Sequence, residues 1–278
     1  MMEDGVVEVR ALTTSRRGVS AAVLALRDHP NLLRTLSVAT FLIIWEYTGR
    51  QMNPIFMTYP TAVARAALEL IGSGELLEAF SLSMVSFGIG LAISIVVGIA
   101  IGLLIGQFWF LEYTLDPYIN ALYAIPRIAL VPLIILWFGL ELQGKVVIVV
   151  SIAIFPIIIN TYAGVKDVRG SLLEIGQAYA ATQPQIFFKI VLPAALPFIM
   201  AGIRLAVGLG IIGMIVAEFF TAIKGLGGLI IFYSNSFATA KLFVPIVAVG
   251  LMGIGLTQLV LYLEDRLAPW RRSERVRV

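Results

Sequence analysis

The stretch that decides the fold is FSLSMVSFGIGLAISIVVGIAIGLLIGQFWFL, residues 80–111, which contains no charged residue. About 20 consecutive apolar residues in a helix cross the hydrocarbon core of a bilayer. This stretch therefore predicts a transmembrane helix. The whole sequence agrees, since 59% of its 278 residues are hydrophobic and 13% are charged. That composition is too apolar for a water-soluble protein, so we predict an all-α integral membrane fold.

Further apolar segments lie on both sides of this stretch. The first, 35–49, is short, contains Glu46 and depends on flanking arginines that reach the interface. Another, 113–138, contains Pro126 and two more prolines, so we expect its backbone to be kinked. We predict six spans in all, at about 35–49, 80–107, 113–138, 146–165, 197–220 and 242–264.

Arginines cluster before the first span and after the last. The positive-inside rule places both clusters in the cytoplasm, so the number of spans should be even. We predict cytoplasmic tails at 1–34 and 267–278 that flank a transmembrane domain at 35–266. Tracing six spans from a cytoplasmic N-terminus also places the polar segment 166–196 in the cytoplasm.

Segment 166–196 contains signals for two short helices. Ser171 and Glu174 fit a capping box at the start of the first helix. Pro184 is suited to the first turn of the second helix, which we predict over 185–191 and which should stop before Pro193. Two such helices could dock into a groove of a soluble partner or lie on lipid headgroups, and their geometry supports both equally. The predicted apolar stripe of the first helix consists of Leu172, Ile175, Gly176, Tyr179 and Ala180.

The run EIGQAYAATQPQIFFKIVLP, residues 174–193, resembles the EAA loop of ABC-importer permeases. It has the acidic start, the small residues and the final phenylalanine and Ile-x-Leu-Pro of that loop. Flanking segments, including Trp45–Glu46 and 124–139, extend the resemblance to the nitrate, sulfonate and taurine branch. The resemblance implies a type I ABC-importer permease fold in which this loop forms coupling helices against an ATPase. It assigns ATPase coupling to Glu174, Gly176, Ala178, Ala180, Ala181, Phe187, Ile190, Leu192 and Pro193.

The same resemblance implies a function and a set of partners. The chain would be a permease subunit in the bacterial cytoplasmic membrane and no enzyme, with ATP and Mg²⁺ bound by a separate ATPase in two copies. It would need no cofactor of its own and no nucleic acid. Its other partners would be a second permease copy, an extracytoplasmic substrate-binding protein and membrane lipid. The solute would be small and anionic, from the sulfonate, nitrate, bicarbonate, aromatic carboxylate or vitamin-precursor class.

Two small residues depart from the family pattern. The family usually has alanine at the position of Gly176 and glycine at the position of Ala180. If Ala180 adopts a positive φ, it carries an energy penalty that glycine avoids. We therefore expect the turn between the two coupling helices to differ from the family's usual turn.

Four residues are candidates for the translocation pathway, namely Arg127, Pro126, Arg204 and Glu218. Arg127 would either attract an anionic solute group, satisfy carbonyls freed by Pro126, or pair with Glu46 or Glu218. We favour a structural role for it. Arg204 and Glu218 are interpreted as structural or gating residues near the ends of their span. An ion-coupled secondary transporter using Arg127 and Glu218 is the alternative function.

The sequence does not support a nucleotide-binding site or a metal site. Residues 139–145 fit the start of a Walker A loop, but Val146 replaces the hydroxyl residue that binds Mg²⁺, so we reject a nucleotide site. There is no cysteine, and the single His29 cannot form a metal site alone.

Gly98, Gly102 and Gly106 recur every four residues in the second span. This spacing lets two helices approach closely. We favour packing inside the subunit over a seam between two subunits.

Overall fold

The computed structural model describes residues 30–221 and 224–269, and the regular structure in this part is entirely helical. The helices are α1 (Pro30–Gln51), α2 (Pro60–Gly72), α3 (Glu75–Gln107), α4 (Trp109–Ala124), a 3₁₀ turn (Arg127–Leu130), α5 (Val131–Phe138), α6 (Leu142–Lys166), α7 (Gly170–Ala178), α8 (Gln183–Ile186), a π turn (Phe187–Val191), α9 (Leu192–Thr221), α10 (Leu226–Asn235) and α11 (Thr239–Leu267). His29 and most of both predicted tails lie outside the described residues.

Four helical segments in the described ranges are long and apolar enough to cross a membrane. They are α3, α6, the continuous run from α8 to α9, and α11, and they contain four of the six predicted spans. Helices α4 and α5 make a fifth crossing if the bent pair is counted together. The all-α membrane class is confirmed. Helix α1 covers 22 residues but does not belong to this apolar set, so the count of six spans stays a prediction.

The predicted third span is broken and not merely kinked. Helices α4 and α5 meet at an angle of 84°. Ile125, with φ −67° and ψ 132°, is extended because the ring of Pro126 disfavours a helical conformation in the preceding residue. Pro126 also lacks an N–H for the helix ladder. Pro132 is tolerated because it lies in the first turn of α5.

Helices α3, α6 and α9 pack along one another and form the centre of the bundle. A Cβ atom at Gly102 would lie 2.6 Å from Thr161 Cβ, and one at Gly106 would lie 2.6 Å from Val165 Cβ. Gly98 faces α6 in the same way. These glycines therefore pack within the subunit, as predicted. Close approach matters here because lipid provides no hydrophobic driving force between helices.

Helices α2 and α10 cover the end of the bundle that lies away from segment 166–196. Val63, Ala66 and Leu70 of α2 are buried in one cluster with Leu226 and Tyr233 of α10. Their spacing of three and four residues places them on one face of α2. Burial, together with the carboxylate that accepts its hydrogen bond, raises the pKa of Tyr233 to about 12, so this hydroxyl remains a donor.

Helix α1 is attached near its C-terminal end. The indole N–H of Trp45 donates to the Thr58 carbonyl at 2.8 Å. The Glu46 carboxylate accepts from Arg50 Nε at 2.6 Å and from the Thr61 N–H, in the first turn of α2, at 3.0 Å. These contacts satisfy Glu46 without any partner in the centre of the bundle.

Candidate coupling site and membrane-embedded charges

The first helix of segment 166–196 begins two residues earlier than predicted, with Arg169 and not Ser171 at the cap position. Helix α7 starts at Gly170, and the cap residue Arg169 makes no side-chain capping bond. Ser171 therefore lies inside the helix, and the predicted capping box of Ser171 and Glu174 is wrong. A capping box occurs instead at α8, where the Thr182 N–H donates to Gln185 Oε1 at 2.8 Å.

The turn between α7 and α8 depends on Ala180. This residue has a φ of 53°, so the condition for the expected energy penalty is met. The Ala181 N–H donates to the Gly176 carbonyl at 3.0 Å, and the Ala180 N–H donates to the Gln177 carbonyl at 2.8 Å. This pair of bonds is a Schellman motif, in which the left-handed position usually holds glycine.

Gly176 lets α7 approach the helices that follow it. A Cβ atom there would lie 2.9 Å from Ile190 Cδ1 and 3.3 Å from Ile186 Cγ1. Alanine at this position would require Ile190 to move. The two departures from the family pattern therefore act together, since both concern how α7 folds back on the next helix.

The second predicted helix does not end at Leu192–Pro193. Helix α8 continues through the π turn into α9, and the whole run from Gln183 to Thr221 covers 39 residues. The Leu192 N–H donates to the Phe187 carbonyl across this wider turn. Because Pro193 lacks an N–H, a wider turn before it allows the helix to continue where an ordinary helix would be interrupted. The helix that contains the fifth span thus begins well before the predicted start of that span at 197.

Segment 166–196 exposes several large apolar side chains. Leu172, Ile175, Tyr179 and Phe188 are 40%, 54%, 85% and 65% exposed, and we call these four residues the coupling surface. An exposed apolar patch of this kind requires cover by a partner protein or by the membrane surface. Of the nine predicted coupling residues, Gly176 is buried, Glu174, Ala178 and Ala180 are exposed, and Ala181, Phe187, Ile190, Leu192 and Pro193 are half-buried.

Arg127 satisfies two carbonyls that helices leave without a donor. Its Nη2 donates to the Tyr123 carbonyl at 2.7 Å and its Nη1 donates to the Ile152 carbonyl at 3.3 Å. Helix α4 ends next to the first carbonyl, and Pro156 lacks the N–H that would reach the second. The guanidinium also lies 4.7 Å and 5.0 Å from the ring centroids of Tyr123 and Phe155.

These contacts correspond to the structural role that we favoured for Arg127. Within residues 30–221 and 224–269, the guanidinium contacts neither Glu46 nor Glu218. The contact with the Ile152 carbonyl was not foreseen from the sequence. Pro156 is nevertheless a signal for it, since a proline deprives the residue four positions earlier of its helical donor. A role for Arg127 and Pro126 in the pathway stays a prediction.

Glu218 is 1% exposed and joins three helices. Its Oε1 accepts from Ser83 Oγ on α3 at 2.6 Å, and its Oε2 accepts from the Gly227 N–H on α10 at 2.7 Å. Ser83 Oγ in turn accepts from the Leu226 N–H at 2.8 Å. Free N–H groups at a helix start favour a carboxylate. Ser83 and Gly227 were not foreseen, because the contact with Ser83 spans 135 positions of sequence.

Arg204 has a carboxylate neighbour in the last helix. Its Nη1 lies 3.9 Å from Oε2 of Glu264, which is 2% exposed. Two charges on different spans neutralise each other here, which reduces the cost of placing them in the membrane domain.

Residues 139–141 of the Walker-like segment connect α5 to α6, and residues 142–145 form the first turn of α6. A phosphate-binding loop of this kind requires a strand before it, so the structure agrees with our rejection of a nucleotide site. In the part of the chain that the structure describes, no group of three potential metal ligands occurs.

Comparisons with known proteins place the chain among transport components. Residues 94–273 match the family described as binding-protein-dependent transport system inner membrane component. The formylaminopyrimidine transport permease of Halalkalibacterium halodurans is 33% identical, over 89% of this chain and 99% of its own length. A putative aliphatic sulfonates transport permease of Bacillus subtilis is 32% identical, over 84% of this chain and 86% of its own length.

A solved structure shows the same fold. The MetNI methionine ABC transporter, in an inward-facing conformation, matches with a TM-score of 0.52 and 22% identity. The match covers 70% of this chain and 95% of the solved chain. It supports the type I ABC-importer permease architecture that the helix order indicates.

Proposed function

Because this chain belongs to the family of binding-protein-dependent transport system inner membrane components, we propose that it forms the translocation pathway of an importer for a small anionic solute. The chain is a multi-pass membrane protein and a transport component, not an enzyme. In the proposed assembly a separate ATPase binds ATP and Mg²⁺, and this chain requires no cofactor. We place the assembly in a bacterial cytoplasmic membrane, with both termini in the cytoplasm.

The observation that supports an ATPase partner most directly is the coupling surface. Leu172, Ile175 and Tyr179 project from α7, while Phe188 projects from the π turn that continues into α9. Apolar groups on short helices fit a groove in a soluble partner. A displacement of this loop reaches the membrane directly, because the π turn runs into α9 without a break. Each permease copy would contact one of two ATPase copies.

The exposed face of α4 supports a second permease copy. Within the described ranges, α4 buries none of its own residues, although it carries the exposed polar residues Asp116 and Asn120. Polar side chains that face lipid are unfavourable, so cover by protein is expected. We propose a homodimer with α4 near its centre. An extracytoplasmic binding protein would deliver the solute to the opposite end of the bundle.

Arg127 supports the choice of an anionic solute. Its known contacts are two carbonyls and two rings, which leave its positive charge without a carboxylate in the described residues. A sulfonate or carboxylate could approach this charge at the α4–α5 bend. A relative is named for aliphatic sulfonates and another for formylaminopyrimidine. We propose the sulfonate, nitrate, bicarbonate, aromatic carboxylate or vitamin-precursor class, with Pro126, Arg204 and Glu218 as further pathway residues.

Reconstitution tests this function. The chain is isolated from its native membrane with the proteins bound to it, and then placed in liposomes with the ATPase and the binding protein. We expect uptake of one of the proposed solutes that requires ATP and the binding protein together. Uptake by the permease alone, driven by an ion gradient without ATP, would establish the secondary transporter instead.

A further inference from the structure

Helix α4 is positioned by polar contacts to α6. None of its own residues is buried in the described part of the chain, and Tyr113 and Tyr118 are 76% and 68% exposed. Apolar burial therefore does little to set its position relative to α6. Two groups of polar contacts join the helices instead, one at the start of α4 and one at the α4–α5 bend.

The contact at the start of α4 centres on Glu112. Its Oε1 accepts from the Tyr162 hydroxyl at 2.7 Å, and its Oε2 accepts from the Lys166 ammonium. Both donors belong to α6 and lie one helical turn apart. Because each carboxylate oxygen has its own donor, the contact defines where α4 lies along α6 as well as how far away it lies.

Lys166 links this contact to the coupling loop. It is the last residue of α6, and only residues 167–169 separate it from α7. Val168 and Leu173, on the two sides of the start of α7, pack against one buried cluster that contains Val165 and Ile186. The end of α6 and the coupling loop are therefore packed together, so a displacement of the loop also displaces Lys166.

We propose that Glu112 is a positioning residue that transmits displacement of the coupling loop, through Lys166 and Tyr162, to the broken span formed by α4 and α5. This inference rests on the proposed function, because it takes the loop to be moved by an ATPase. The second contact, from Arg127 to the Ile152 carbonyl, lies roughly 20 Å from Lys166 along α6. Helix α6 thus carries both attachments of the broken span.

The ion pair of Glu112 with Lys166 can be removed without unfolding the chain. The side chains of Glu112 and Lys166 are 23% and 45% exposed, and partly exposed ion pairs contribute little to stability. Glu112→Gln keeps the shape of the side chain and its hydrogen bond to Tyr162 while it removes the charge. Glu69→Gln is the matched control, because it removes the charge from another exposed pair, in which Lys241 Nζ lies 3.2 Å from Glu69 Oε2.

Spin-label distances test the contact in the purified permease. The chain has no cysteine, so Tyr118→Cys on α4 and Tyr179→Cys on α7 provide two unique labelling sites. We expect a narrow distance peak within each subunit in the background of either Glu112 or Glu69→Gln, and a broader peak in the Glu112→Gln background, where only the hydrogen bond to Tyr162 still holds the start of α4. An unchanged distribution with Glu112→Gln would overturn the inference, whether or not the protein transports a solute.

The complete assembly in liposomes tests transmission. We expect Glu112→Gln to keep ATP hydrolysis and to lower the solute transported per ATP several-fold, whereas Glu69→Gln leaves this ratio unchanged. Exchange of the two charges, Glu112→Lys with Lys166→Glu, should restore much of the ratio. Equal ratios for the two glutamine variants would overturn the inference. Absence of ATP-driven uptake with the unmodified chain would instead count against the proposed function itself.

Discussion

Ala180 occupies a backbone conformation that glycine adopts more readily. Its φ of 53° is left-handed, and this region costs an L-residue with a side chain about 1–2 kcal/mol. The Schellman hydrogen bonds of Ala180 and Ala181 hold the turn in this conformation. The penalty therefore falls on the loop that is proposed to contact the ATPase.

Ala180→Gly is expected to raise the free energy of unfolding by up to about 1.5 kcal/mol, because relief of the left-handed strain, about 1–2 kcal/mol, exceeds the added entropy of the unfolded chain, about 0.4–1 kcal/mol. Thermal unfolding of the purified permease in detergent measures the change. Ala178→Gly, inside α7, is the matched control and should lower stability by about 1 kcal/mol. A loss of stability in both variants would contradict the assignment of strain to Ala180.

Gly225 cannot be replaced by a larger residue, because both its backbone conformation and its surroundings exclude a side chain. Its φ is 104°, and a Cβ atom there would lie 2.2 Å from Oε1 of Glu218. Backbone strain and overlap with a buried carboxylate act together at this position. The side chain of Glu218 cannot move away without losing its bonds to Ser83 and Gly227.

Gly225→Ala should therefore destabilise the chain by about 2 kcal/mol or more, since strain and overpacking each cost about 1–3 kcal/mol. Gly208→Ala is the control, because no atom outside its own helical surroundings lies within 4 Å of a Cβ at that position. The melting temperature in detergent should fall for the first variant alone. Equal melting temperatures would show that α10 adjusts to the added methyl group.

At the scale of elements, the broken span depends on prolines and one arginine. Pro126 ends α4, and Pro156 removes one backbone donor from α6. Arg127 donates to the two carbonyls left without a helical donor, those of Tyr123 and Ile152. The same side chain lies over the rings of Tyr123 and Phe155. The bend of 84° is thus stabilised by a group that reaches two helices at once.

Arg127→Lys should lower stability by about 1–3 kcal/mol, because one ammonium cannot donate to both carbonyls and stack between two rings. The measurement is thermal unfolding in detergent. Arg65→Lys, at an exposed position on α2, should leave the melting temperature unchanged. An unchanged melting temperature for Arg127→Lys would mean that the two carbonyls find other donors.

At the scale of the whole molecule, the coupling surface and the bundle are one continuous structure. Phe188 precedes α9 without a break in the helix, so its exposed ring is connected directly to a helix long and apolar enough to cross a membrane. Ile175 belongs to α7, which the Schellman turn joins to the same helix. A partner that moves these side chains therefore moves a span.

Ile175→Glu combined with Phe188→Glu should abolish co-purification of the ATPase, since charges on an apolar docking surface are desolvated when the partner binds. The variant should keep the melting temperature of the unmodified chain, because both residues are exposed. Phe56→Glu, at a position that is 81% exposed far from the loop in sequence, is the control for general effects of an added charge. Retention of the ATPase by the double variant would place its contact elsewhere.

The sequence by itself determined the membrane class, four of the apolar spans, the presence of a bend near Pro126 and the resemblance of residues 174–193 to a family pattern. Local chemistry decides these features: runs of apolar residues require lipid, prolines interrupt helix ladders, and the order of residues 174–193 carries the family pattern. The energy penalty at Ala180 was also predictable on the condition of a positive φ, because that conformation is unfavourable for any residue with a Cβ.

Only the tertiary structure decided where the polar groups find partners. Glu218 with Ser83, Glu112 with Lys166 and Arg127 with the Ile152 carbonyl join residues that are far apart in sequence. The continuation of α8 into α9 past Pro193 was missed for a related reason, since a π turn depends on how the surrounding helices pack. A pattern along the chain shows that a polar group needs a partner in the membrane, but the packing of the helices selects which one it receives.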